Sequence, residues 1–326
     1  MKLPRRDVLR LAAAGALLPI APGAASALDY PTKPVQIINQ SAAGSGPDII
    51  GRILAEQLTR RLGQQVLIID RPGAGGLIAA QAAFAALPDG YTLYMPASSA
   101  VIILPQTHAH LPFDFHRDFV PIGMVGKQPM LITASPRLGV ATLPELIALA
   151  KKEPGKILYA GNSTGSLPAL TGVMLEQRAG IDMTFVPYPG VPAALTDLSG
   201  GRISVIIESL AALAGAIQGG TVKLLAVAAD KRLPQFPEVA TVAETLPGFE
   251  ATGWFALVAR AGTPDAVVQK VGGALDASLA DPGLNQSFAK LGTLATPMSP
   301  ADMQAFIARE EKNWTPVVRK AGLAAQ

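Results

Sequence analysis

The chain alternates short apolar runs with segments in which apolar residues recur at helical spacing. Val35–Asn39 is a run of the first kind, and the small-residue loop 40–47 follows it. From Asp48 to Arg61, apolar side chains recur every three or four residues, which predicts an amphipathic helix that ends at Gly63. Val66–Ile69 is a second apolar strand. Because these strands are apolar throughout, the pattern favours a mostly parallel α/β sheet that is buried on both faces.

A comparable order of elements occurs later in the chain. Ile157–Tyr159 predicts a strand, Ala160–Ser166 a small polar loop, and Leu167–Arg178 a helix that ends at Gly180. Another strand is predicted at Met183–Pro187. Both units therefore place a Gly- and Ser-containing loop between a strand and the N-terminus of a helix.

Two such units indicate two α/β lobes, each with a sheet flanked by helices. We assign residues 28–126 and 252–326 to lobe 1 and residues 127–251 to lobe 2. The apolar strand Phe255–Val258 returns the chain to lobe 1. Two further helices are predicted near 264–280 and 300–320. A chain that crosses twice between lobes forms a two-segment hinge, which suits closure around a ligand.

Residues 1–27 have the order of charge, apolar stretch and small residues that is typical of a secretory signal peptide. The apolar stretch Leu11–Leu18 is too short to span a membrane, and Ala25-Ser-Ala27 forms a cleavage site. Arg5-Arg6 favours the twin-arginine export route, and the alternative is an ordinary signal in which two arginines occur by chance. We expect cleavage after Ala27 and a soluble protein in the periplasm.

Removal of the predicted signal peptide changes the formal net charge of the protein. The whole chain has 27 Lys and Arg against 24 Asp and Glu, and the first 27 residues hold four of the former and one of the latter. The mature protein is therefore formally neutral, which argues against a nucleic-acid partner, because such proteins need a basic surface. The absence of cysteine excludes thiol catalysis, iron–sulfur clusters and Cys-ligated zinc.

Gly161-Asn-Ser-Thr-Gly165 matches the nucleophile elbow of serine hydrolases and lies between a predicted strand and a predicted helix. In that fold the catalytic histidine follows the serine. Here His108, His110 and His116 all precede Ser163, so the chain order argues against a hydrolase. The other interpretation is a polar loop that exposes N–H groups and hydroxyls to an anion at a helix N-terminus.

Ala43–Asp48 permits the same interpretation. It lacks the third glycine of a dinucleotide fingerprint, because Ile49 stands there, and no Gly-Lys-Ser/Thr follows as in a P-loop. The alternative is a tight strand-to-helix turn in which Pro47 fixes the backbone and Asp48 is a plain N-cap.

Several other polar segments have simpler interpretations. The Gly-rich loop Arg71–Gly76 is interpreted as a structural turn, and His108-Ala-His110 as surface residues rather than a metal site. Glu208 ends an apolar run and either faces the cleft, where it selects ligand amines or hydroxyls, or is solvated. Trp254-Phe255 is predicted to be core or hinge packing. The helix Asp302–Lys312 is interpreted as a solvated amphipathic surface.

Segments spread over nearly the whole mature chain resemble those of Bug-type (TctC-like) receptors, the periplasmic solute-binding proteins of tripartite tricarboxylate transporters. These segments are Val66–Gly76, Pro88–Leu93, Asp118–Pro121, Val186–Gly190, Ala194–Leu198, Gly248–Glu250 and Trp254-Phe255. The resemblance implies a two-lobed α/β fold like that of type II periplasmic binding proteins, with a ligand cleft between the lobes. The sequence departs from the family pattern at Asp70, where the family has asparagine.

The family's two ligand loops correspond here to Ser41–Asp48 and Asn162–Ser166. The resemblance and the loops together imply ligand contacts from Ser41, Ala43, Gly44, Ser45, Gly46, Asp48, Ser98, Asn162, Ser163, Thr164, Gly165, Ser166, Tyr188 and Glu208. We therefore expect a non-enzymatic, monomeric receptor that binds a small carboxylate without cofactor or metal. Its partners would be transient membrane transporter subunits; a carboxylate sensor for a signalling membrane protein and an exported hydrolase that uses Ser163 are the alternatives.

Overall fold

The computed structural model describes residues 29–41 and 43–325, so the predicted signal peptide at 1–27 lies outside the described residues. The strands are Val35–Asn39 (β1), Val66–Asp70 (β2), Thr92–Met95 (β3), Phe119–Ala134 (β4), Leu158–Gly161 (β5), Thr184–Pro187 (β6), Val205–Ser209 (β7), Lys223–Val227 (β8), Thr252–Arg260 (β9) and Leu294–Ala295 (β10). The α-helices are Gly46–Leu62 (α1), Leu77–Phe84 (α2), Leu104–Thr107 (α3), Phe115–Asp118 (α4), Leu143–Lys152 (α5), Leu167–Ala179 (α6), Val191–Ser199 (α7), Leu210–Gln218 (α8), Val242–Thr245 (α9), Asp265–Leu279 (α10), Pro282–Lys290 (α11) and Pro300–Lys320 (α12).

The first lobe is built on the strand order β2-β1-β3-β9-β4. Strand β1 is parallel to β2 and β3, whereas β9 is antiparallel to both β3 and β4. Helices α1 and α10 cover one face, where Leu54 and Leu58 pack in the same core cluster as Val271 and Leu275. This burial of apolar helix faces is what holds the lobe together.

The second lobe continues the same sheet through β4. Strand β5 is parallel to β6 and β7, and β4 is antiparallel to β7 and β8. Along Phe119–Pro129 the partner of β4 is β9, and along Met130–Ala134 its partners are β7 and β8. Strands β4 and β9 thus form the crossing between the lobes.

The predicted α/β class and two-lobed architecture are confirmed, but the sheets are mixed rather than mostly parallel. The outer strands of each lobe are parallel as expected, because helices connect them, and the crossing strands are antiparallel to their neighbours. The lobe boundaries at 126–127 and 251–252 stay a prediction. Within the described residues, no helix is both long and apolar enough to cross a bilayer.

The C-terminal helix α12 corrects the interpretation of 302–312 as a solvated surface. Its Phe306 and Ile307 are buried, and the carboxylate of Glu310 accepts hydrogen bonds from the indole N–H groups of Trp254 and Trp314, each at 3.3 Å. Burial raises the pKa of Glu310 above its ordinary value. Trp254 is fully buried, as predicted, so α12 is anchored on a crossing strand.

Candidate functional site

The N-termini of three helices meet near the crossing strands. A Cβ atom on Gly46, the first residue of α1, would lie 3.1 Å from Cβ of Ala211 in α8 and 3.8 Å from Nε2 of Gln128 in β4. A Cβ on Gly253, the register partner of Gln128, would lie 3.1 Å from Cδ2 of Leu167, which begins α6. Helix starts from both lobes therefore surround one point on the crossing strands.

The first loop is held in place by Asp48. This carboxylate accepts a 2.7 Å hydrogen bond from the N–H of Gly44 and lies 2.7 Å from Nε of Arg52. Arg52 also reaches Asp70, which accepts from Asn39. Asp48 is the third residue of α1, so the interpretation as its N-cap is wrong; it reaches back to stabilise the loop.

The residue that caps α1 is Ser45, and the residue that caps α8 is Ser209. Neither side chain makes the hydrogen bond to the first turn that serine N-caps usually provide, whereas Ser166 at the start of α6 does, to the N–H of Ala169. The Ser45 hydroxyl is buried and has no hydrogen-bond partner among the described residues. A buried polar group of this kind costs free energy unless a ligand or water satisfies it.

A small recess lies in the second lobe at the carboxyl ends of β5 and β7, the edge where α/β sheets bind ligands. Its volume is about 10 Å³, and it brings together the predicted residues Asn162, Tyr188 and Glu208. The remaining lining residues are Ala160, Gly161, Gly190, Val191, Ala194, Ile206 and Ile207. The Tyr188 hydroxyl donates to Asp197 at 2.8 Å, which fixes that ring in the wall.

Glu208 is the acidic residue of this recess. It is 9% exposed, so it is not solvated, and one carboxylate oxygen accepts a 2.8 Å hydrogen bond from the N–H of Ser209. Burial raises its pKa above the ordinary value, and hydrogen bonds from Ser209 and Asn162 oppose that rise.

The second predicted loop divides into structural and exposed residues. Ser166 accepts hydrogen bonds from the N–H groups of Ser163 and Ala169, so its oxygen is used inside the loop. Ser163 and Thr164 are exposed, and Gly165 is half-buried. The hydroxyls of Ser163 and Thr164 are accessible to a ligand, whereas the Ser163 N–H already donates to Ser166.

The other predicted residues lie at the first lobe's edge. Ser41 is half-buried, Ala43 and Gly44 are exposed, and Ser98 is buried at the start of a π-helical turn. Gln40 ties these segments together, since its amide oxygen accepts from the N–H of Ala97. Ligand contact by these residues stays a prediction.

Two of the three histidines have hydrogen-bond partners. His108 Nδ1 lies 3.0 Å from the Thr107 hydroxyl, and His116 Nε2 lies 2.9 Å from a carboxylate oxygen of Glu311. His108, His110 and His116 are exposed, as predicted for surface residues.

Sequence reasoning missed Ser209, Gln128 and Ala211. Ser209 had a readable signal, because a serine between an apolar strand and a predicted helix is typical of an N-cap. Gln128 and Ala211 had none, because their positions beside Gly46 depend on tertiary packing.

Two lobes on two crossing strands, with helix starts from both lobes at the junction, define a binding protein of the two-lobed periplasmic class. The chain matches the family described as "Tripartite tricarboxylate transporter family receptor" over residues 50–323. It therefore belongs to this receptor family, and the resemblance to Bug-type receptors is confirmed.

Individual relatives cover almost the full length. Protein BugT of Bordetella pertussis is 33% identical over 314 residues, which cover 96% of this chain and 95% of BugT. The structure of Rpa4515 of R. palustris with adipate is similar with a TM-score of 0.83 at 29% identity, covering 90% of this chain and 99% of the other. MatC of Rhodopseudomonas palustris with bound malate has a TM-score of 0.78 at 27% identity, covering 89% and 100%.

Proposed function

We propose that this protein is an exported receptor that binds a small carboxylate between its lobes and presents it to a membrane transporter. The observation that carries the proposal is the meeting of α1 and α8, whose N-termini belong to different lobes and touch at Gly46 and Ala211. Each helix start carries about half a positive charge. Two such ends brought together favour an anion that lies beside both of them. The related structures of Rpa4515 with adipate and MatC with malate support a carboxylate as that anion.

The hydrogen-bond donors at this point suit a carboxylate. The Ser45 hydroxyl is buried and free to donate, and it caps α1, whose first-turn N–H groups have no acceptor within the helix. Ser163 and Thr164 supply exposed hydroxyls from the second lobe. Each charge-assisted hydrogen bond contributes about 1.5–3 kcal/mol net. Three or four of them account for micromolar binding, which needs about 8 kcal/mol.

A ligand bound between the lobes favours a receptor conformation that the transporter can recognise. A ligand that contacts both lobes stabilises the closed conformation relative to the open one. The free energy of this stabilisation comes from the contacts that the ligand makes only in the closed conformation. The crossing strands β4 and β9 form the hinge for this motion. The loaded receptor then differs in shape from the empty one.

The receptor acts without catalysis. Ser163 lies in an exposed loop, and the ring nitrogens of His108 and His116 contact Thr107 and Glu311. We expect ester substrates to turn over no faster with wild type than with Ser163→Ala. Turnover that this substitution abolishes would contradict the proposal.

Receptors of this kind work outside the inner membrane, so export is part of the proposal. Mass spectrometry of periplasmic protein should find an N-terminus at Leu28. Replacement of Arg5-Arg6 by two lysines should block export by the twin-arginine route, and unchanged export would assign the general pathway instead.

A thermal-shift screen tests the function directly, because a ligand that binds only the folded protein raises its melting temperature. The screen pairs each carboxylate, including adipate, malate, succinate, citrate, butyrate and γ-hydroxybutyrate, with its uncharged amide. We expect at least one acid to raise the melting temperature while its amide does not. Equal shifts for acids and amides, or no shift with any acid, would contradict a carboxylate site.

A further inference from the structure

The recess beside Glu208 differs in chemistry from the point where the helix starts meet. Its one carboxyl group is that of Glu208, and the groups that hydrogen-bond this acid, Ser209 and Asn162, are neutral. Ala160, Val191, Ala194 and Ile206 make most of the remaining wall apolar. Asn162 is exposed and lines the same recess, so the recess reaches the protein surface.

The size of the recess restricts what enters it. A volume of about 10 Å³ accommodates roughly one water-sized group. An ammonium nitrogen or a hydroxyl oxygen has that size, whereas a carboxylate adds three heavy atoms. The recess therefore accommodates a single heavy atom at the end of a ligand.

The charge of the recess points to the same kind of group. A carboxylate of the ligand brought against an ionised Glu208 places two like charges in apolar surroundings, which is costly. An ammonium group instead neutralises Glu208, and a hydroxyl donates a hydrogen bond to it. Either group satisfies a buried acid that no cation among the described residues neutralises.

We propose that Glu208 selects carboxylates whose other end carries an amine or a hydroxyl, and that it disfavours dicarboxylates. The inference rests on the proposed function, because it takes the ligand's carboxylate to be held at the helix starts near Gly46. Glu208 then determines specificity from the second lobe. It distinguishes this chain's ligand from the adipate that Rpa4515 binds.

Two ligand series of equal chain length test the inference by calorimetry at neutral pH. The first contains γ-aminobutyrate, γ-hydroxybutyrate, succinate and butyrate. The second contains ε-aminocaproate, ε-hydroxycaproate, adipate and caproate. Each series changes only the far end of the molecule. The proteins are wild type, Glu208→Gln and the control Glu238→Gln, which changes an exposed acid of the same lobe.

In at least one series we expect wild type to bind the amino and hydroxy ligands roughly tenfold more tightly than the dicarboxylate. Glu208→Gln should weaken the amino ligand by roughly tenfold and should not weaken the dicarboxylate, because the neutral amide removes both the attraction and the repulsion. Glu238→Gln should behave as wild type. Melting curves confirm that each variant is folded.

A dicarboxylate that binds wild type as tightly as the amino ligand in both series overturns the inference, and this ranking needs no variant. An unchanged ranking in folded Glu208→Gln also overturns it. Both results leave carboxylate binding, and so the proposed function, in place. If none of the eight ligands binds and the acids of the thermal screen also fail, the proposed function falls and the inference falls with it.

Discussion

Substitution of Gly46 by valine should wedge the two lobes apart without unfolding either. The φ of Gly46 lies outside the left-handed region, so its backbone accepts a β-branched residue without strain. Its new Cβ would stand 3.1 Å from Cβ of Ala211, whereas ordinary carbon contacts need about 3.5–4.0 Å. The two γ-methyl groups come closer still. The clash exists only while α1 and α8 meet.

The magnitude follows from the cost of overpacking, which is about 1–3 kcal/mol for added methyl groups at a packed contact. Because the separated lobes do not incur this cost, all of it appears in the binding equilibrium. The affinity for the carboxylate found in the thermal screen should therefore fall by about 5- to 150-fold. The melting temperature of the ligand-free protein should change little.

Calorimetry measures the affinity, and small-angle scattering follows the compaction that the ligand causes. The matched control is Gly273→Val, which adds the same side chain to α10 at a position with open space around it. Gly46→Ala should fall between wild type and Gly46→Val. Affinity within twofold of wild type for folded Gly46→Val would refute the reasoning that ligand binding requires this contact.

Three further outcomes follow from the same contacts. Asp48→Ala should lower the free energy of unfolding by about 1–3 kcal/mol, because the Gly44 N–H loses its acceptor. Asp48→Asn should lower it less, and an unchanged melting temperature for Asp48→Ala would contradict this role. Thr164→Val should cost about 0.5–3 kcal/mol of affinity by calorimetry and leave the melting temperature alone; unaltered affinity would exclude this hydroxyl. Hydrogen bonds from the Arg117 side chain and the N–H of Asp114 lower the pKa of Asp118 to about 2. Its stabilisation is thus present above about pH 4 and lost as pH falls through about 2. The melting temperature of Asp118→Asn should decline less than that of wild type over this range, and parallel declines would contradict the assignment.

The first lobe's elements were predictable because their signals are local. Val35–Asn39 is a strand with the predicted bounds, and the predicted helix from Asp48 to Arg61 is α1, one or two residues longer at each end. Gly63 ends this helix in the left-handed conformation that glycine adopts readily. Apolar spacing and a terminal glycine are both visible within a few residues of sequence.

The long crossing strand β4 was not predicted, because its sequence contains residues that usually interrupt strands. Pro121 and Gly123 stand on either side of one register shift, and Met124 and Gly126 on either side of another. Such irregularities let a strand bend while its pairing with β9 continues. Whether a proline or glycine ends a strand or sits at a bulge depends on the partner strand, which the local pattern does not contain.

The candidate site shows the same division between local and tertiary information. Asn162, Tyr188 and Glu208 were each noticed in the sequence, and they share one recess because parallel strands end at one edge of a sheet. What the sequence left open was whether Glu208 faces solvent, since one acid at the end of an apolar run fits both cases. Helix α7 determines the solvent exposure of Glu208, because its residues Val191 and Ala194 line the recess wall and shield this side chain from water.

The environment of Glu310 beside crossing strand β9 also depends on the tertiary structure. A helix with acidic residues on one face indicates a solvated surface, and only the fold reveals that this carboxylate lies between two indole N–H groups. One indole belongs to Trp254 on crossing strand β9, which is 56 residues away in sequence. A buried acid is tolerated where hydrogen-bond donors are fixed around it. The sequence left the exposure of Glu208 open and assigned Glu310 to solvent, so in both cases the tertiary structure determines the environment of the carboxylate. Glu208 faces a recess with room for a ligand group, whereas protein donors already occupy the carboxylate of Glu310. That difference supports the proposed recognition role of Glu208, whereas the carboxylate of Glu310 anchors α12 on strand β9.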